Sequence, residues 1–434
     1  MISEQARFEQ AGCEQAGCEQ VGCEQVGDRV GERTGEKDRE GPMMDFDMLI
    51  RGGRVVDPSQ SLDAVRDVGI RQKQIEAIEP SLHASARHVV DARGMIVTPG
   101  LIDLHVHAYR DHSEIGLDPD RVMVSGGVTT MLDAGSAGAV NFGGFRRDII
   151  DHAEAEVLGL VNLACMGLVV GNRVGELADR RYADVEGVIR TIAEHPGVAV
   201  GVKIRAGKHI IGEGEQGWAN FRDAIAAARR SSTWLMVHIG ESPMSIPEML
   251  ERMEPGDCIT HCFKSGSERI LDGEGRIFPS VLRAAERGVI FDVGHGFGSF
   301  HWDVCQAAIE QGFEPTTIST DLHSMNLHGP VYDMPTTMSK FLALGIPLAR
   351  VIEMTTCRPA AVLGRSDDLG TLRVGSVADV TIMDEQCGAF ALPDSYGQVR
   401  VADRLLTTVM TIRRGEVLAG GGAFRTRHRV ESPS

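Results

Sequence analysis

No apolar run in the sequence approaches the ~20 residues of a membrane-spanning helix, so a helical membrane protein is excluded. Positive charge is in deficit. There are 44 Lys and Arg against 61 Asp and Glu, a formal net charge of -17, and a nucleic-acid partner does not fit that balance. Aromatic residues make up only 5% of the chain, which leaves core building to aliphatic side chains. No Cys-X-X-Cys pair occurs among the nine cysteines. Cys258 and Cys262 lie four apart without a second cluster to partner them. Cys13, Cys18 and Cys23 fall in a tandem repeat, and Cys165, Cys305, Cys357 and Cys387 are scattered. Free, mostly buried thiols in a reducing compartment are expected. The polar, acidic N-terminus carries no signal-peptide pattern, so a cytoplasmic location is expected.

What is present is a large apolar fraction and much glycine. A 434-residue chain that is 42% hydrophobic can bury a sizeable core in two or three domains, and its 51 glycines suit many tight loops. Residues 1–42 read as a disordered tail. Glu9 to Gly27 repeats Glu-Gln-Ala/Val-Gly-Cys, which has too few apolar residues for a core and a glycine in every unit. From Asp47 the pattern becomes β. Asp47–Pro58 reads as two short strands around a Gly-Gly turn, followed by strands at Arg66–Ile70, Gln74–Ile78 and Val89–Gly94. Beyond Gly364 the β pattern returns at Gly370–Met383, Leu405–Ile412 and Gly415–Leu418.

Between these flanks the chain alternates strands with helix-like segments. The strand candidates are Leu101–Val106, Thr129–Asp133, Val157–Met166, Val198–Ile204, Trp234–Ile239, Cys258–His261, Val289–Val293 and Thr317–Thr320. Eight strands with intervening helices predict a (β/α)8 barrel, residues 98–364. A small flanking β-sandwich domain is predicted from 43–97 and 365–420, with a C-terminal tail at 421–434. An open doubly wound sheet would need a phosphate-binding glycine fingerprint, and none is evident.

In a barrel of this kind the chemistry sits at the C-terminal strand ends. Strand one ends in His105-Val106-His107. Residues two apart on a strand share a face, so both imidazoles can reach one metal ion. Strand four carries Lys203, strand five ends in His238, strand six in His261 and strand eight in Asp321. Each alone has an ordinary reading: a satisfied core histidine, or an aspartate capping a helix. Lys203 does not, because a cation among apolar residues is costly to bury.

Five strand ends bearing His-X-His, Lys, His, His and Asp, in that order, resemble the amidohydrolase superfamily and specifically its binuclear members, over roughly residues 47–420. The resemblance implies that Lys203 is N6-carboxylated by carbon dioxide, so that the carbamate bridges two divalent metal ions. The first ion would take His105, His107, Lys203 and Asp321; the second would take Lys203, His238 and His261. Zinc is the default for such nitrogen and oxygen donors, and manganese, cobalt or iron suit the same set. Asp321 would serve as the proton carrier for hydrolysis of an amide or ester by metal-activated hydroxide.

Within the superfamily the chain looks like the dihydroorotase-like deacetylase group. The matching stretches are Gly100–Tyr109, Val202–Arg205, Thr260–Phe263 and Ser319–His323, with Asp321–Pro330 the most distinctive. A dihydroorotase would carry an arginine two residues after the second histidine; here that position is Tyr109, followed by Arg110. Tyr109, Arg110, His295, His323 and Asn326 are candidate contacts for a small-molecule substrate. Arg173, Arg205 and Lys264 are candidates for meeting an anionic group. A cyclic amide hydrolase shares the same metal set and is the second reading. A metal-free scaffold is the third, and it sits badly with six competent ligand positions. Homo-oligomers are expected for such folds.

Overall fold

The computed structural model describes residues 45–418 other than Asn172 and Ser267, with all their side chains except those of Met123 and Val124. The repeat-bearing tail 1–42 and the tail 421–434 lie outside the described residues. The chain opens with five strands: β1 (Phe46–Asp57), β2 (Leu62–Arg71), β3 (Gln74–Glu79), β4 (Ala86–Asp91) and β5 (Ile96–Pro99). The Gly-Gly pair expected to turn the chain instead makes a bulge inside β1. Pairing with β2 shifts register between Ile50 and Gly53, and Gly52 has φ 69°.

Seven parallel strands then follow in sequence order: β6 (Leu101–Val106), β7 (Val128–Asp133), β8 (Glu156–Asn162), β9 (Ala199–Arg205), β10 (Trp234–His238), β11 (Cys258–Thr260) and β12 (Ile290–Asp292). The eighth barrel position is filled by the segment 316–322. It bridges in parallel to Asp292 through Thr317 and to Val106 through Leu322, which brings the sheet round to its first strand. Helices cover the outside; the helix Gly214–Arg230, for example, buries Phe221, Ala224 and Ala228. The lumen below the strand ends is filled by Ile102, Leu104, Leu132, Leu158, Leu160 and Met236. It is therefore a packed core and no channel.

The chain returns to the first sheet as β13 (Val380–Pro393), β14 (Val399–Arg413) and β15 (Glu416–Leu418). The sheet order is β15-β14-β13-β5-β1-β2-β3, with β4 beside β1. The sheet curls round one apolar core of Met48, Ile50, Val68, Ile70, Val380 and Ile412. Its two ends meet where Ala378 N donates to Lys73 O and Gly415 N donates to Ala378 O, each at 2.9 Å. This is the predicted flanking domain built from both ends of the fold. It differs in one respect: β13 and β14 form a hairpin arm of 14 and 15 residues, much longer than the strands read from the sequence.

The two sheets join at Gly100, between β5 and β6. Its N–H donates to Asp379 O at 2.8 Å, and an added Cβ would collide with the Thr129 side chain. Among the described residues, no helix is long and apolar enough to cross a membrane. Thr381 ties the sheets together. Its hydroxyl donates to Gly127 O at 2.6 Å and accepts from Leu101 N at 3.3 Å, fully buried. Thr381→Val is expected to cost about 1–2 kcal/mol. A lowered unfolding midpoint with unchanged metal content would show this, and an unchanged midpoint would contradict it.

Candidate metal centre

The strand ends converge as the barrel geometry requires. His105 and His107 each point Nε2 at one carboxylate oxygen, Asp321 Oδ1, at 3.4 and 3.3 Å. Lys203 Nζ lies 3.3 Å from His105 Nε2 and 3.3 Å from Met236 Sδ. His261 Nε2 faces His238 Nδ1 at 2.8 Å. The rings of His105 and His261 are 5.0 Å apart, so the six residues form one cluster. One ligand atom each from His105, His261 and Asp321 lie within 4.8 Å of one another.

The far sides of three rings are fixed by the protein. His105 Nδ1 meets Thr260 Oγ1 at 2.9 Å, and that hydroxyl donates to Asp292 Oδ2 at 2.8 Å. With its hydrogen committed to Asp292, Thr260 accepts from His105, which leaves the Nε2 lone pair bare. His261 Nδ1 donates to Gly294 O at 2.6 Å, with the same result. His107 Nδ1 pairs with Ser136 Oγ at 2.9 Å. Such partners set tautomer and ring orientation in metal sites. Asp292 also accepts from Thr317 and Ser319, and Asp103 accepts from Thr320 N–H and hydroxyl.

Burial sets the charges. It holds His105, His238 and His261 well below the ordinary imidazole pKa and His107 down to about 3, so all four rings are neutral donors. Burial also pushes Lys203 down to about 8 and Asp321 up to about 6. Asp321 Oδ1 is buried without a hydrogen-bond partner. An orphaned carboxylate oxygen facing neutral imidazoles is a poor protein core and a good cation site. The donor set therefore fits a bound metal.

The backbone is strained at the same place. His261 has φ 71° and Asp321 φ 49°, in the left-handed region. Three glycines make room. A Cβ at Gly135 would lie 2.7 Å from Lys203 Cβ, one at Gly294 would collide with Thr260 and His261, and one at Gly296 would collide with Asp321.

Above the cluster lies a cavity of about 200 Å³ whose wall includes His107, Lys203, His238, Asp321, His323, Arg205, Lys264 and Phe297. Of the five expected substrate contacts, only His323 lines it. Tyr109 is buried outside the pocket, its hydroxyl donating to Asn141 O and its ring against His112 and Phe145. Arg110 is half exposed and pairs with Asp118. His295 is buried with Nε2 on Lys340 and Nδ1 on Gly296 O, so neither nitrogen is free for a ligand. Asn326 is turned inward, accepting from His323 N–H and donating to Asp321 O, where it shapes the backbone rather than the pocket wall. Among the arginines, Arg173 pairs with Glu114 at the surface and Arg205 is clamped by Glu176 at 2.8 and 2.6 Å.

The model of the amidohydrolase family matches residues 299–418. A deacetylase of Brucella anthropi is 40% identical over 347 residues, 79% of this chain and 85% of that protein. The chain belongs to the amidohydrolase family. A deacetylase of Enterococcus faecalis is 35% identical to this amidohydrolase, covering 86% of the chain and 99% of that protein. A solved structure described as a dihydroorotase superposes with a TM-score of 0.79 at 35% identity, over 86% of this chain and 97% of that one. This amidohydrolase is accordingly a hydrolase.

Sequence reading missed Thr260, Asp292, Asp103 and Ser136, the residues that orient the cluster. Two carried a signal: Thr260 directly precedes His261, and Asp292 ends an otherwise apolar strand. In this amidohydrolase, Thr260→Val frees His105 Nδ1 and is expected to weaken metal retention by about 10–100-fold. Competition with a chelator measures this; wild-type retention would contradict it.

Proposed function

We propose that this amidohydrolase is a deacetylase that removes an acetyl group from a small ester or amide, using two divalent ions held by His105, His107, Lys203, His238, His261 and Asp321. The observation that carries the reading is the buried Asp321 Oδ1, which has no hydrogen-bond partner, facing His105 Nε2 and His107 Nε2 beside a buried lysine whose contacts are an imidazole and a thioether. The acetyl group is read from the two deacetylases at 40% and 35% identity. When bound, such ions, zinc by default for this donor set, lower the pKa of a water and polarise the substrate carbonyl.

The protein's own groups supply the rest. Lys203, with its pKa lowered to about 8, has an accessible free-amine form. Its nitrogen attacks the carbon of carbon dioxide: the N–C bond forms, one C=O π pair moves onto oxygen, and the nitrogen's proton passes to water. The product is an anion with two oxygens where a buried cation would stand. Asp321 accepts the proton of the attacking water and passes it to the leaving group. Lys264 sits in the cavity wall with no carboxylate at ion-pair distance among the described residues, which supports a substrate bearing an anionic or strongly polar group.

Ring opening of a cyclic amide is the second reading, favoured by the solved dihydroorotase at 35% identity. Against it stands the position two residues after His107, where buried Tyr109 replaces the arginine that this reading needs. Its neighbour Arg110 is committed to Asp118.

Lys203→Ala is expected to lose both ions and to fall about 10³-fold or more in turnover, with partial rescue by a short carboxylic acid. Asp321→Asn is expected to keep most of its metal and lose turnover by a similar factor. A panel of acetyl esters, acetyl amides, dihydroorotate and hydantoins tests the substrate class. A fully active Lys203→Ala, or turnover confined to the cyclic amides, would contradict the proposal.

A further inference from the structure

The long β13–β14 arm runs up to the pocket, and its tip is bonded to two loops that wall it. Tyr396 donates its hydroxyl to Gly298 O at 2.8 Å and accepts from Ser265 N at 3.2 Å. Ser395 N donates to Phe300 O at 3.0 Å, and its hydroxyl donates to Gly296 O at 3.0 Å. Asp394, 2% exposed, shapes the tip by accepting from Tyr396 N and Gln398 N, and it also accepts from Trp302 N. Below them Lys340 spends three donors on three segments: His295 Nε2 at 2.6 Å, Pro330 O at 2.9 Å and Pro393 O at 2.7 Å. Pro330 closes the loop that begins at Asp321, His295 opens the loop that carries Phe297 and Gly298, and Pro393 ends β13.

We infer that Ser395, Tyr396 and Lys340 are positioning residues through which the flanking β domain fixes the pocket wall of the barrel. None of them lines the cavity. Phe297, Gly298, Ser299 and Lys264 do, and all four lie on the loops so held. Lys264 Nζ is 3.4 Å from Gly298 O, the same carbonyl that Tyr396 binds, so one hydroxyl sets the spacing of both loops. The arm is thus a fixed part of the substrate site, and substrate preference depends on a segment remote in sequence from every proposed ligand. Substrate binding by these loops rests on the deacetylase reading above; their immobilisation by the arm does not.

The test uses the full-length, metal-loaded enzyme and its Tyr396→Phe and Ser395→Ala variants, each of which removes one hydroxyl and leaves the fold's core untouched. Amide hydrogen exchange is expected to speed up about fivefold or more over 263–266 and 295–300 in Tyr396→Phe and over 295–300 in Ser395→Ala, as one lost hydrogen bond would give. Bound metal is expected to stay at the wild-type level. With 4-nitrophenyl acetate as the probe, the change is expected in KM rather than kcat, because the loops bind the substrate and do not carry the proton. Lys340→Met is expected to quicken exchange over 295–300 and over the loop 321–330 together. Wild-type exchange in Tyr396→Phe and Ser395→Ala would overturn the inference whatever the probe does. Faster exchange in an enzyme that fails to cleave the probe would sustain the positioning role and count against the deacetylase reading alone.

Discussion

A buried lysine with no carboxylate at ion-pair distance among the described residues is the constraint from which the site follows. Lys203 is 1% exposed, and its nearest polar neighbours are an imidazole nitrogen and a thioether. Holding its pKa near 8 instead of 10.5 corresponds to roughly 3 kcal/mol against the charged form. A domain does not carry such a penalty, together with a partnerless carboxylate oxygen at Asp321, for packing alone; a methionine would fill the space at less cost. Both oddities resolve together if the amine becomes an anion and cations enter between it, Asp321 and the imidazoles.

The surrounding structure is consistent with that resolution. Rings are turned by Thr260, Ser136 and Gly294 so that lone pairs face inward. The backbone at His261 and Asp321 sits in a conformation costing about 1–3 kcal/mol each, which persists only where neighbours over-determine it. Glycines at 135, 294 and 296 allow the close approaches, and the arm from the flanking sheet ties down the rim. His261 and Asp321 carry this strain at the strand ends, while the lumen beneath is an ordinary aliphatic core.

The barrel and the cluster were legible in the sequence because both depend on local regularities. Apolar strands marked the layers, and ligand-type residues at five of the eight strand ends marked the site. What was not legible depends on turns and on distant partners. The Gly-Gly pair in β1 looks like a turn from sequence and is a bulge, because β2 continues to pair on both sides of it. The hairpin arm lacks a clean alternation because register shifts at Ile382/Met383 and Cys387/Phe390 interrupt the pattern. Tyr109 and Arg110 are close to His107 in sequence, but the chain is turned aside there by Asp133, which accepts from Ala108 N. Lys340 sits in a buried helix with nothing local to mark it; its acceptors lie 10, 45 and 53 residues away.

The central claim is that Lys203 and Asp321 are held as they are by cations. Elemental analysis of protein purified with bicarbonate and without chelators tests it most directly. About two divalent ions per chain are expected. One ion per chain would contradict the bridging role of Lys203, and none after reconstitution would remove the metal centre altogether.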